Sequence, residues 1–188
     1  MLIYFITSNS KKFNEVKEFF KDVKNIQIKR INLDIPEIQS VEVKEIVKFK
    51  INYVLKNYNF KNFLVEDTGF YIKCLNYLPG PFIKWFLLSI RSKGLYDICN
   101  FYRNYKAEAK IALGLRLKNK SYIFEDSVKG KVVKPKKRLS NNKIWWDNIF
   151  MPEGFNRTFG EMSSEEKNLI SHRGKALRKL KNFLIKIK

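Results

Sequence analysis

LIYFITSNSKKFNEVKEFF, Leu2 to Phe20, changes its hydrophobic period at Thr7. Leu2 to Ile6 is an unbroken apolar run, the pattern of a short buried strand. From Lys11 onward Phe13, Val16, Phe19 and Phe20 recur at helical spacing, with Lys and Glu between them. A buried strand that feeds an amphipathic helix through a polar turn opens an α/β fold.

Working outward, Gln27 to Ile31 alternates like a strand, and Leu33 to Glu37 reads as a loop because Pro36 restricts its predecessor and carries no N–H. Val43 to Leu55 returns to helical spacing through Ile46, Val47, Ile51, Val54 and Leu55. Asn62 to Val65 is a second short buried strand, ending in Glu66-Asp67-Thr68-Gly69. Leu78-Pro79-Gly80-Pro81 is a turn, and Phe82 to Ile90 a helix carrying Lys84 and Trp85. Ala107 to Leu117 and Ser121 to Gly130 pair around the Lys118-Asn119-Lys120 turn. Lys131 to Lys143 is read as a loop. Ser163 or Ser164 caps a helix through Leu169, with Glu165 or Glu166 in its first turn. Arg173 to Ile187 is a last amphipathic helix with Ala176, Leu177, Leu180, Phe183, Leu184 and Ile187 inward. Strand-helix alternation followed by a hairpin predicts α/β with a mixed sheet.

The chain has 188 residues, 45% of them hydrophobic, enough for a core without a disulfide or metal staple. Cys74 and Cys99 lack metal-ligand spacing and are expected as free thiols in a reducing compartment. No apolar run reaches the roughly 20 residues of a membrane helix, and the N-terminus lacks a signal sequence, so a cytoplasmic location is expected. The net charge of +20 collects in Lys129 to Lys143 and Ser171 to Lys188. Such an excess suits polyanion binding, although the joint abundance of Asn, Ile, Lys, Phe and Tyr is also what an AT-rich genome produces.

Thr7 to Lys12 lies at a helix N-terminus, where unpaired N–H groups and the positive dipole end suit an anion. The glycines of a P-loop are absent, and a plain helix-capping turn is the competing reading. Glu37, Glu66 and Asp67 close apolar runs, and hard carboxylate oxygens there suit Mg²⁺, which shares its shell with water and substrate phosphates. A carboxylate beside such an ion can orient an attacking water. Lys50 and Lys84 sit on predicted helices, where ordinary surface roles compete. Trp145-Trp146 and the sole histidine, His172, complete the chemistry-bearing set. Stacking aromatics and forked donors are suited to a flat, carbonyl-bearing base.

TSNSKKFNEV, IPEIQ, LVEDTGF, LPGPFIKWFL, WWDNIFMPEG, TFGEM and EEKNLISHR occur in that order, and together they resemble the inosine triphosphate pyrophosphatase, or Ham1, family from about Ile3 to Leu184. The resemblance implies an elongated mixed β-sheet with flanking helices forming two lobes around a central cleft, one domain over residues 1–188, and a homodimer. It implies hydrolysis of ITP, dITP and XTP to the monophosphate plus pyrophosphate, with Mg²⁺, or Mn²⁺ in its place. By position, Asp67 and Lys12 become catalytic residues, and Glu37 and Asp67 the metal ligands. Thr7, Ser8, Asn9, Ser10, Lys11 and Lys12 would contact the triphosphate, with Thr68, Lys50 and Lys84 beside it. Lys50 is reached by placing one inserted residue within Val41 to Glu45. Ile144, Trp145, Trp146 and Asp147 would flank the base and ribose, while Lys167, His172 and Arg173 read the purine's carbonyl edge. Donors there reject adenine, whose amino group would leave them unpaired. Ser8 stands where the family usually has glycine, Ile144 where it has an aromatic residue, and Asn148 where it has proline.

Two rivals remain at this stage. A nucleic-acid-binding module would follow from the charge, though no repeated aromatic-basic pattern supports specific nucleic-acid binding. A housekeeping nucleotidase acting on modified pyrimidines would share the phosphate chemistry. A small-molecule triphosphate, and no membrane, is the expected partner.

Overall fold

The computed structural model describes residues 1–136 and 146–187. Ile144 and Trp145, and most of the stretch expected as a basic loop, lie outside them. β1 (Leu2–Ile6) leads through Thr7-Ser8-Asn9 into α1 (Ser10–Phe19), as the change of period predicts. Then come β2 (Gln27–Ile31), α2 (Val43–Asn57) and β3 (Phe63–Ile72). β4 (Pro79–Gly80), α3 (Ile83–Ser89) and α4 (Arg91–Phe101) follow. A hairpin of β5 (Lys106–Leu117) and β6 (Lys120–Val132) then leads to β7 (Phe150–Pro152). α5 (Ser164–Ile170) and α6 (His172–Lys186) close the chain.

The strands form one mixed sheet in the order β2-β1-β3-β5-β6-β7, with β4 on the edge of β3. β1 pairs in parallel with β2 and β3; all other pairs are antiparallel. Apolar side chains cover both faces of its N-terminal half. Ile3, Phe5 and Leu64 pack with α1 and α6 residues such as Val16, Leu177 and Leu180. Ile6, Phe63 and Val65 pack with Val47, Ile51 and Val54 of α2. A third core joins Phe70, Ile72 and Ala109 to Leu95, Trp146, Phe150 and Phe159 at the other end of β3. Among the described residues no helix is long and apolar enough to cross a membrane.

Three expectations need correction. β3 does not stop at Val65: it continues through Glu66 and Asp67 to Ile72, because β5 pairs with it along its whole length. β6 runs on to Val132, into the stretch read as loop. α4 was not foreseen; only Leu95 and Cys99 of it are buried, too short a stripe to stand out.

Candidate active site

β3 positions the charged groups. β1 pairs with it only at Phe63 and Leu64, and β4 only at Phe70 and Tyr71. Between them, residues 65–69 face no strand on that side among the described residues, and a gap opens beyond the C-terminal end of β1. Clefts of this kind, outside the carboxyl ends of parallel strands, are where α/β sheets take ligands. Because side chains alternate, Asp67 emerges on the α2 face of the sheet, while Glu66 and Thr68 emerge on the α6 face.

Lys50 explains the α2 face. Val43, Ile46, Val47, Ile51 and Val54 form the buried stripe of α2, and Lys50 belongs to the same stripe. Its ammonium is 2.9 Å from Asp67 Oδ1 and 2.6 Å from Glu37 Oε1, and it donates to the Glu66 carbonyl at 3.1 Å. Burial penalises this charge, but the two carboxylates outweigh it and raise the Lys50 pKa. Asp67 is the reverse: burial raises its pKa above the ordinary Asp value despite Lys50 and Lys12. The resemblance put Lys50 on the triphosphate; its ammonium is held between the two proposed metal ligands. Those two carboxylates thus converge on one cation position, a donor set that suits Mg²⁺ completing its shell with water and phosphate. No group of three or more potential ligands stands ready for a metal among the described residues.

The α6 face carries a second network. Arg173 grips Glu66 with two nitrogens at 3.1 and 2.9 Å, and its guanidinium also reaches Glu15 and the Thr68 hydroxyl. Lys12 lies 2.8 Å from Glu66. Burial disfavours the Glu66 charge, yet Arg173 and Lys12 reverse the balance and hold its pKa at about 2. The resemblance has Arg173 facing the purine; its guanidinium is directed to these carboxylates.

The polar turn after β1 is held by its own side chains. Asn9 caps α1, its side chain accepting from the N–H groups of Lys11 and Lys12, and Thr7 Oγ1 accepts from Asn9 N. Arg30 of β2 donates to the carbonyls of Thr7 and Ser8. Ser8, Ser10 and Lys11 are exposed.

His172 opens α6, directly after the cap Ser171. It is 2% exposed, and neither ring nitrogen has a hydrogen-bond partner among the described residues. Burial, with Arg173 and Lys167 nearby, lowers its pKa well below the ordinary value. A buried neutral imidazole with both nitrogens unmatched needs an explanation, and a ligand is the usual one. Trp146 lies 5.5 Å from it and stacks on Phe70 at 4.9 Å; Phe159 lies 6.3 Å from both the imidazole and the Trp146 ring. Lys167 pairs with Asp147 at 2.6 Å. Lys84 stands apart: it is exposed on α3, over the Trp85 ring at 5.2 Å. A surface cavity of about 990 Å³ lies at the other end of β1, lined by Met1, Leu117 and Leu184, and contains none of these groups.

Arg30 and Glu15 had no assigned site role in the sequence reading, while Glu66, read there among the carboxylates suited to Mg²⁺, is held by Arg173 and Lys12. Alternation could have flagged Arg30, half-buried beside Ile28 on β2. Glu15 offered only its three-residue spacing from Lys12.

The profile of the Ham1 family matches residues 3–183. The inosine triphosphate pyrophosphatase of Schizosaccharomyces pombe is 37% identical over 97% of this chain and 94% of its own. The dITP/XTP pyrophosphatase of Pyrococcus horikoshii is 34% identical over 95% of this chain and 94% of its own. A Ham1 protein from Coxiella burnetii, 23% identical, shares the fold with a TM-score of 0.80, over 98% of this chain and 99% of that one.

Proposed function

Since the chain belongs to the Ham1 family, we propose that it hydrolyses ITP, dITP and XTP to the monophosphate and pyrophosphate, clearing deaminated purines from the nucleotide pool. The observation that carries the substrate choice is His172, buried, neutral and unpaired on both ring nitrogens beside Trp146. An imidazole N–H there donates to the 6-oxo group of an oxidised purine and would be left facing an amino group in adenine.

The triphosphate lies along the α1 turn, with Thr7, Asn9 and Lys12 against its oxygens. Asp67, whose pKa is raised by burial, accepts the proton of the water that attacks the α-phosphorus. Lys12 opposes the charge that grows on the departing pyrophosphate, and Lys50 orients the Asp67 and Glu37 carboxylates. Glu37 and Asp67 are the residues that would hold Mg²⁺, or Mn²⁺ in its place, which when bound polarises the phosphate oxygens. Asp147, bridged to Lys167, lies at the ribose end. We read residues 1–188 as one domain with two lobes, acting in the cytoplasm as a homodimer without a nucleic-acid or membrane partner.

Pyrophosphate release from ITP, XTP, ATP, GTP and dUTP tests the reading. The expected result is a kcat/KM for ITP and XTP on the order of 10²-fold or more above ATP. Equal release from ATP or dUTP, or orthophosphate as the product, would overturn it.

A further inference from the structure

Glu15 is absent from the chemistry above, yet it ties together the two ends of the cleft. It lies on α1 three residues after Lys12, so both side chains leave the same face of that helix. Lys12 pairs with Glu66, and Glu15 pairs with Arg173 Nη1 at 2.5 Å. Arg173 itself holds Glu66 by the fork, at 2.9 and 3.1 Å. The result is a ring of two cations and two carboxylates joining α1, β3 and α6, closed through the α1 backbone between Lys12 and Glu15 and not by an ion pair. α1 begins at the Thr7-Ser8-Asn9 turn, and α6 begins at His172, the residue before Arg173. Further along, the helices meet through apolar contacts of Val16 and Phe20 with Leu177 and Leu180. Apolar packing sets their distance; charge-assisted bonds to a planar guanidinium set their register.

We propose that Glu15 is a positioning residue that, through Arg173, locks the first turns of α1 and α6 together and so fixes the span between the phosphate-binding and base-binding ends. The inference rests on the functional reading above. It makes a particular demand: Glu15 matters for a ligand that touches both ends and not for one that touches the phosphate end alone. Its charge would act in the opposite sense, since removing a carboxylate leaves the ring positive and favours any polyanion.

The test compares full-length wild type, Glu15→Gln and Glu15→Asp, with folding checked by circular dichroism. KM and kcat are measured for ITP, and the inhibition constant for inorganic tripolyphosphate. Glu15→Gln is expected to raise KM for ITP about tenfold, with tripolyphosphate inhibition within about threefold of wild type. Glu15→Asp, which keeps the charge but not the reach, should fall between. If KM and the inhibition constant move together, or neither moves while only Tm falls, Glu15 is merely structural or electrostatic and the proposal fails. A wild type that releases no pyrophosphate from ITP removes the functional reading itself, an outcome seen before any variant is compared.

Discussion

Lys50 Nζ and Asp67 Oδ1 lie 2.9 Å apart, with their side chains only 9% and 10% exposed. The pair joins the inner stripe of α2 to the open stretch of β3, and Glu37 adds a second carboxylate to the same ammonium at 2.6 Å. A charged group on a core stripe is costly unless matched, so the two acids fix where the lysine can end.

Asp67→Asn should abolish pyrophosphate release, by at least about 10³-fold, because the amide cannot take the proton of the attacking water. The fold should persist, since Lys50 keeps Glu37 and the Glu66 carbonyl as partners. Initial rates with ITP and a thermal unfolding curve check both halves; undiminished turnover would remove Asp67 from the mechanism.

His172 makes stability depend on pH in a definite direction. Its pKa is lowered by folding, so the unfolded chain binds a proton near pH 6.5 that the folded chain does not. The associated stability is full above that pH and falls below it, by up to about 1.4 kcal/mol per pH unit. Glu66, held at about 2, contributes stability that is lost only below about 4.5. The raised pKa of Asp67 works in the opposite sense, favouring the folded state as that group protonates. Urea unfolding between pH 7 and 5.5 should show a clear decline for wild type and a shallower one for His172→Gln. Equal slopes would mean that His172 titrates normally.

Arg173→Ala should destabilise the protein by about 3–5 kcal/mol, because it leaves the buried Glu66 carboxylate with Lys12 as its remaining cation. Arg173→Lys keeps the charge but loses the fork, and should be milder. Chemical denaturation measures the difference. Arg173→Ala with an unchanged midpoint would show that Glu66 is satisfied without it.

Gly174→Ala should damage the junction of α5 and α6. A Cβ at Gly174 would stand 1.8 Å from the Asn168 carbonyl oxygen, which also accepts from Arg178. The backbone must move, at a cost of about 1–3 kcal/mol, and His172 and Arg173 move with it. Both a lower Tm and weaker ITP turnover are expected; a variant that keeps both would show that the junction can relax.

The element types were largely legible from local pattern. The strand-turn-helix opening stands where the change of period puts it, and Ser163, rather than Ser164, caps α5 with Glu166 in the reciprocal position. β3 was cut short because two adjacent acids resemble a strand's end. They continue the strand because Lys12, Lys50 and Arg173, from three other elements, neutralise them. Trp146, read as a residue flanking the base, is also a core residue. It is 8% exposed and serves in the third core while its ring also borders His172. Lys84, read as a substrate contact, stands exposed over Trp85.

By itself the sequence determined most of the longer strands and helices, though not α4 or the full reach of β3 and β6, and which residue types are available for chemistry, because hydrophobic period, caps and turns act over a few neighbouring residues. Tertiary structure alone decided what each charge faces. Lys50 meets acids from β3 and the Glu37 loop, Arg30 turns onto the Thr7 and Ser8 carbonyls, and Arg173 closes on Glu15, 158 positions away. Long charged side chains have many rotamers in isolation, and only the low-dielectric surroundings made when distant elements pack select the partner that removes the cost of burial.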